Sequence, residues 1–74
     1  MNYKVEKRIG NNLRKIRENR KMTQNEASAK LQLEGCDITR SALAKIEVGQ
    51  RHLYPDEILL FKQIYNVSFD EIFE

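Results

Sequence analysis

The chain has 74 residues, 32% of them charged and 41% apolar, with a formal net charge of +2. A chain this short is read as one domain, 1–74, with a core that is marginal by size and gains from a second copy or a bound partner. One cysteine, Cys36, and one histidine, His52, exclude an internal disulfide and a zinc site, and no apolar run is long enough to predict a transmembrane helix or a signal peptide.

Helical periodicity recurs along the chain, whereas period-two runs bounded by hairpin dipeptides do not. The first helix is predicted over about residues 5–19, where Val5, Ile9, Leu13 and Ile16 step by four, four and three along one face. Gly10 inside it costs about 1 kcal/mol relative to Ala, which implies close packing against another helix. The second helix begins at a capping box: the Thr23 hydroxyl can accept the Glu26 amide while the Glu26 carboxylate accepts the Thr23 amide. Ala27, Ser28 and Leu31 then face inward, and Gly35 ends the helix. Cys36 reads as an inert thiol in the turn, with a redox role as the alternative; cysteine use of this kind fits a reducing cytoplasm.

The third helix takes Thr39 as N-cap and Gly49 as C-cap, with Ile38 and Leu43 placed for a hydrophobic staple. Leu43 and Ile46 face inward, with Ala42 beside them. Pro55 suits the first turn of a fourth helix, and Asp56 and Glu57 suit its positive end. Ile58, Phe61, Ile64 and Tyr65 form its apolar stripe. Asn66 turns the chain, Ser68 with Glu71 repeats the capping box, and Val67 with Ile72 repeats the staple. A short fifth helix carrying Phe69, Ile72 and Phe73 closes the domain, with the two phenylalanines expected in the core. The fold class is therefore all-α, a compact bundle of about five short helices.

Charge is unevenly spread. Residues 1–30 carry nine Lys/Arg against three Asp/Glu, residues 31–53 carry three of each, and residues 54–74 carry one Lys against five Asp/Glu. A basic front facing a polyanion and a merely solvated helical surface are both open on charge alone.

Helices two and three are short and joined by a polar connection containing glycine, and the second of them has a non-apolar outer face. That arrangement reads as a helix-turn-helix. The stretches Ile9-Gly10, Leu13 to Arg17, Thr23 to Ala27, Thr39 to Glu47 with Gly49, and Asn66 to Phe73 together resemble the phage repressor and Cro type of helix-turn-helix regulators, over roughly Ile9 to Phe73. The resemblance implies the lambda-repressor-like DNA-binding fold. It also implies a sequence-specific double-stranded DNA-binding transcriptional regulator, expected to be a repressor, in the cytoplasm of a prokaryote or encoded by a phage. The reading helix runs from about Arg40 to Val48.

With about 100° per residue and Leu43 and Ile46 pointing inward, Arg40, Ser41, Ala44 and Lys45 remain on the outer, N-terminal side. Arg40 and Lys45 suit guanine acceptors, Ser41 suits several bases, and Ala44 fits a thymine methyl or close approach. A solvated helix face is the alternative for all four. The resemblance places Gln24 on a backbone phosphate at the positive end of helix two, with capping or solvation as the alternative. Thr39 joins it as cap and phosphate contact. Gln50, Arg51 and His52 form a polar loop placed to grip the sugar-phosphate backbone or to lie free on the surface. The resemblance also pairs Arg17 with Glu47, fastening the reading helix to the scaffold. The connection Gln32 to Ile38 is about five residues longer than the family's tight turn, so either helix two is longer or the turn is an open loop, and Leu33 belongs to the core or to a partner contact.

One reading helix gives little contact for tight specific binding, so a homodimer on an inverted-repeat operator is expected, with Phe69, Ile72 and Phe73 as candidate dimer residues. The competing class is a protein-interaction module, antitoxin-like, that docks a partner through its acidic end. No P-loop, dinucleotide fingerprint, metal spacing or paired carboxylates beside a histidine are present in the sequence, so no enzyme, catalytic residue, metal or cofactor is expected.

Overall fold

The computed structural model describes residues 2–74, and they form five helices: α1 (Tyr3–Asn19), α2 (Gln24–Leu33), α3 (Arg40–Glu47), α4 (Pro55–Tyr65) and α5 (Phe69–Phe73). The first begins two residues before its apolar stripe, because the Asn2 side chain accepts the amides of Lys4 and Val5 at 3.1 and 3.2 Å. The second opens on the complete Thr23–Glu26 box, with bonds of 3.1 and 2.9 Å. Thr39 caps α3 through the Ala42 amide at 3.2 Å, and Ser68 caps α5 through the Glu71 amide at 3.2 Å. Ser68 supplies only that half of its expected box.

Four helices end the same way, with one residue in the left-handed region and two backbone bonds that close the last turn. At the end of α2, Gly35 donates to the Gln32 carbonyl at 3.0 Å and Cys36 to the Leu31 carbonyl at 2.9 Å. The corresponding residue after α3 is Gly49 and after α4 is Asn66, both with positive φ. The residue that ends α1 is Lys21, at φ +56°, with Lys21 donating to Glu18 and Met22 to Arg17. No compositional cue marks it. A non-glycine residue there is strained by about 1–2 kcal/mol. Lys21→Gly is therefore expected to stabilise the fold by about 0.5–1 kcal/mol, after the greater chain entropy of glycine is subtracted. A thermal melt checks this; a lower Tm for the variant would contradict it.

The core is continuous. Ile9, Leu13 and Ile16 of α1, Ala27 and Leu31 of α2, Leu43 and Ile46 of α3, Phe61 and Tyr65 of α4 and Ile72 of α5 are all buried. The first helix packs against α3, α4 and α5, and α2 packs against α3 and α4. Gly10 is the contact point of α1 and α3, since a Cβ there would lie 2.1 Å from the Ile46 carbonyl oxygen.

The long connection is ordered by burial. Gln32 and Leu33 belong to α2, so the helix is longer and the turn is Glu34 to Thr39. Ile38 in that turn is 0% exposed, and its carbonyl accepts from Gln32 Nε2 at 3.2 Å. A side chain of that size contributes about 1.5–3 kcal/mol on leaving water, as much as a helical core residue. Leu33 is 86% exposed and takes no part in the core.

The expectation of core positions for Phe69 and Phe73 is corrected: each remains 39% exposed, and they stack on one another with ring centroids 6.1 Å apart. A five-residue helix offers one inward position, and Ile72, at 0% exposure, occupies it. The Asn12 side-chain amide holds that end of the chain to α1 by donating to the Ile72 carbonyl at 2.9 Å.

Candidate nucleic-acid interface

Eight residues make two turns, so α3 has room for one inward face and one outward face. Leu43 and Ile46 fill the inward one with exposures of 0% and 1%. Arg40, Ser41 and Lys45 are exposed, and Ala44 is half-buried beside them. Among the described residues, neither Arg40 nor Lys45 enters an ion pair. The outward face is thus a small surface with two uncommitted cations, one hydroxyl and a methyl group, within the first six residues of the helix. Val48 is the cap that follows the helix rather than its last residue.

A polar network adds to this apolar anchoring of the helix. Arg17 of α1 meets Glu47, the last residue of α3, in a two-pronged bond: Nε donates to Oε2 at 2.7 Å and Nη2 to Oε1 at 3.1 Å. Both side chains are nearly fully buried. The third guanidinium nitrogen, Nη1, donates to the Met22 carbonyl at 2.7 Å, so the donors facing the interior are satisfied. Gln24, at the first turn of α2, adds Nε2 to Glu47 Oε1 at 3.0 Å. The Glu47 hydrogen bond raises the Arg17 pKa further above its usual value, against the opposing effect of burial. One carboxylate therefore ties α1, α2 and α3 together. The pairing of Arg17 with Glu47 is as the sequence suggested. The participation of Gln24 is new, and it places that side chain at the junction of the two helices of the motif.

Tyr65 of α4 is buried within electrostatic range of the Arg17–Glu47 pair. Its hydroxyl is buried without a hydrogen-bond partner. Burial, and then the negative charge of Glu47, push its pKa up, so the group stays neutral.

The loop after α3 is held from both sides. Arg51 forms a second two-pronged pair, with Glu57 of α4, at 2.9 and 3.0 Å, and also donates to the His52 carbonyl at 3.0 Å. His52 places Nδ1 2.6 Å from Glu6 Oε1 of α1 and meets the Tyr54 ring edge-on at 4.6 Å. Of the three loop residues expected to grip a phosphate backbone, half-buried Arg51 and exposed His52 each have a carboxylate partner within the chain, and Gln50 alone is exposed without a side-chain bond. Thr39 is exposed and acts as a cap.

Burial alone would raise the Glu57 carboxyl, but the Arg51 bonds and the Tyr54 amide, donating at 3.0 Å, outweigh it and hold the group below the usual carboxylate range. A depressed carboxyl contributes stability that is complete above its unfolded pKa and is lost as pH falls through its folded one. Melting temperatures between neutral and acid pH should therefore fall less steeply for Glu57→Gln than for the parent, which starts higher. Parallel curves would contradict this role for the Arg51–Glu57 pair.

No described helix is long and apolar enough to cross a membrane, and no group of three metal-ligating side chains occurs among the described residues. Five helices with α2 and α3 crossing around one buried carboxylate, and a bare polar face on α3, define a helix-turn-helix domain of the DNA-binding class.

The chain belongs to the Cro/C1-type helix-turn-helix family, whose model matches residues 13–72. The crystal structure of the DNA-binding domain of BldD is similar over 100% of both chains, with a TM-score of 0.84 at 20% sequence identity, which establishes the shared fold. No curated protein matches the sequence significantly. Family and fold together make this a DNA-binding domain of the transcription-regulator type.

Proposed function

We propose that the domain is a sequence-specific repressor that reads the major groove of double-stranded DNA with α3. The observation that carries this is the Arg17–Glu47–Gln24 network: it immobilises α3 from behind while Arg40, Ser41 and Lys45 face outward. In this reading Arg40 and Lys45 donate to guanine, Ser41 bonds a base edge and half-buried Ala44 sets the distance of approach or meets a thymine methyl. Thr39, Gln50 and the second amide hydrogen of Gln24, whose first is held by Glu47, contact the sugar-phosphate backbone and fix register. Arg51 and His52 serve chiefly to hold the loop in place. The description of BldD's domain as DNA-binding supports the same activity here.

A homodimer on an inverted repeat, with reading helices about 34–36 Å apart, supplies the contact that one short helix lacks. The stacked, exposed Phe69 and Phe73 provide apolar surface for a second copy. The site of action is the cytoplasm of a prokaryote.

Selection from random duplexes at low salt tests the proposal. A two-fold symmetric sequence is expected to be enriched, and Arg40→Ala is expected to cost about 1–3 kcal/mol at one base position per half-site. Failure to enrich any duplex would refute it. Exposed Leu33 and Leu59, with the acidic α4 and α5, favour an antitoxin-like protein partner as the second reading. Arg40→Glu with Lys45→Glu separates the two, since it abolishes DNA binding and leaves a partner docked elsewhere in place.

A further inference from the structure

The basic front of the chain resolves into a row on one helix. Lys4, Lys7, Arg8 and Arg14 lie with Asn11 on one side of α1, spaced so that each sits within a turn of the next. None of the four cations enters an ion pair among the described residues, and the one side-chain bond in the row, Arg14 Nη2 to Asn11 Oδ1 at 3.0 Å, leaves its charge intact. Of the two acids on this helix, Glu6 is turned to His52, and Glu18, a turn beyond Arg14, pairs with no cation.

This row forms one wall of a groove of about 550 Å³ whose other wall is the end of α3. Two features of that end matter. The Glu47 carboxylate is already bonded by Arg17 and Gln24, so it does not neutralise the row. Val48 is 53% exposed and gives the groove an apolar patch. Gly49 lets the chain pass against α1 there, since a Cβ on it would lie 2.8 Å from the Lys7 Cα, so the two walls are held at a fixed separation.

Resting on the DNA-binding reading above, we propose that this groove seats the sugar-phosphate backbone of DNA flanking the bases read by α3. The phosphates lie against Lys4, Lys7, Arg8 and Arg14, and the carbon face of a deoxyribose lies against Val48. The chemistry favours this occupant: a wall of cations faces an apolar patch across the groove, and a DNA strand carries phosphate anions beside sugar carbons. The place favours it too, because a helix in the major groove is walled by the two backbones, and the groove continues from the end of that helix. The row spans about 15 Å from Lys4 to Arg14. The domain therefore covers more DNA than its reading helix touches, and α1 adds affinity without adding base preference.

The test uses the triple variant Lys7→Ala/Arg8→Ala/Arg14→Ala, all at helix positions that tolerate alanine. Binding is measured against salt on the shortest selected duplex and on the same duplex lengthened on each side by about half a helical turn, ~5 base pairs. Removing one cation from a phosphate lowers the slope of log affinity on log salt by about 0.9, so the slope on the long duplex should fall by about 2–3 and affinity at low salt by about 10–100-fold. Base preference and Tm should stay as in the parent, and the difference between duplex lengths should shrink. An unchanged slope and affinity on the long duplex, while Arg40→Ala still weakens binding, would overturn the groove's role and leave the reading helix standing. Loss of base preference in the triple variant would also overturn it. So would unchanged DNA binding accompanied by loss of self-association, because the groove would then take an acidic protein face. If the parent enriches no duplex at all, the DNA-binding reading falls, and this inference with it.

Discussion

Replacing Glu47 by alanine is expected to remove about 3–5 kcal/mol of stability and most of the DNA affinity. The Arg17 guanidinium would remain buried with the Met22 carbonyl as its sole partner, and the Gln24 amide would lose its acceptor. Removing one member of a buried pair carries a penalty of this size because the remaining charge is uncompensated. A domain of 74 residues holds only about 4–11 kcal/mol in total. The variant should therefore melt tens of degrees lower or fail to fold at growth temperature. Thermal and denaturant unfolding measure the first effect, and binding to the selected duplex at a temperature where the variant is folded measures the second. The pair itself is a different matter, because a well-packed apolar replacement of both partners is often neutral. Arg17→Met/Glu47→Leu should recover much of the lost stability. It should not recover affinity, because Gln24 would still lack the carboxylate that ties α2 to the end of α3. Recovery of both would show that the network contributes packing alone. No change in either for Glu47→Ala would show that Arg17 finds other partners.

Local signals were legible in the sequence, and the long-range ones were not. Thr23, Thr39 and Ser68 cap through amides three residues away, so their positions could be read from spacing. The core faces of α1 and α3 followed from periodicity over two or more turns. Where a helix has a single turn, periodicity has nothing to average over, which is why Ile72 was separated from Phe69 and Phe73 only in three dimensions. Lys21 ends α1 in a conformation usually marked by glycine or asparagine, so composition gave no cue. The outward face of α3 was accessible because Leu43 and Ile46 fix the helix rotation. The loop residues behaved otherwise. The partners of Arg51 and His52 are Glu57 on the next helix and Glu6 at the far end of the chain. A basic residue beside a reading helix suits a phosphate and a carboxylate equally well, and only the fold decides which it meets. The same holds for the row on α1: its charge excess was countable, but the groove it forms with Val48 is a product of packing.

Gly10→Ala is expected to be the most damaging single-methyl addition in the domain. Alanine is intrinsically the better helix residue by about 1 kcal/mol, so at an ordinary position on α1 the change would stabilise. Here the new Cβ would lie 2.1 Å from the Ile46 carbonyl oxygen and 3.1 Å from the Ile46 and Glu47 carbonyl carbons. All three are backbone atoms, so no side chain can turn aside. Helices α1 and α3 must separate or slide, which disturbs the burial of Leu13, Leu43 and Ile46 and the two-pronged geometry of Arg17 on Glu47. Overpacking in a rigid core costs about 1–3 kcal/mol, and a forced backbone shift places this case at the upper end. At about 4–8 °C per kcal/mol for a domain of this size, the Tm should drop by roughly 10–25 °C. Gly35→Ala is the control: its Cβ would meet nothing within 4 Å, so only the strain of its φ of +85° remains, about 1 kcal/mol. DNA binding separates the two further. Gly35 lies in the turn after α2, and the loss there should be in stability alone, whereas displacing the C-terminal end of α3 tilts Arg40 and Lys45 out of register and should weaken specific binding more than nonspecific binding. An alanine variant at position 10 that melts at or above the parent would mean that α1 and α3 are further apart than the 2.1 Å clearance allows. The close approach at Gly10 and the buried pair at Glu47 lie within one turn of each other on α3, so the two substitutions should be strongly non-additive when combined. One contact region, built from a missing side chain and one carboxylate, sets both the spacing and the orientation of the helix proposed to read DNA.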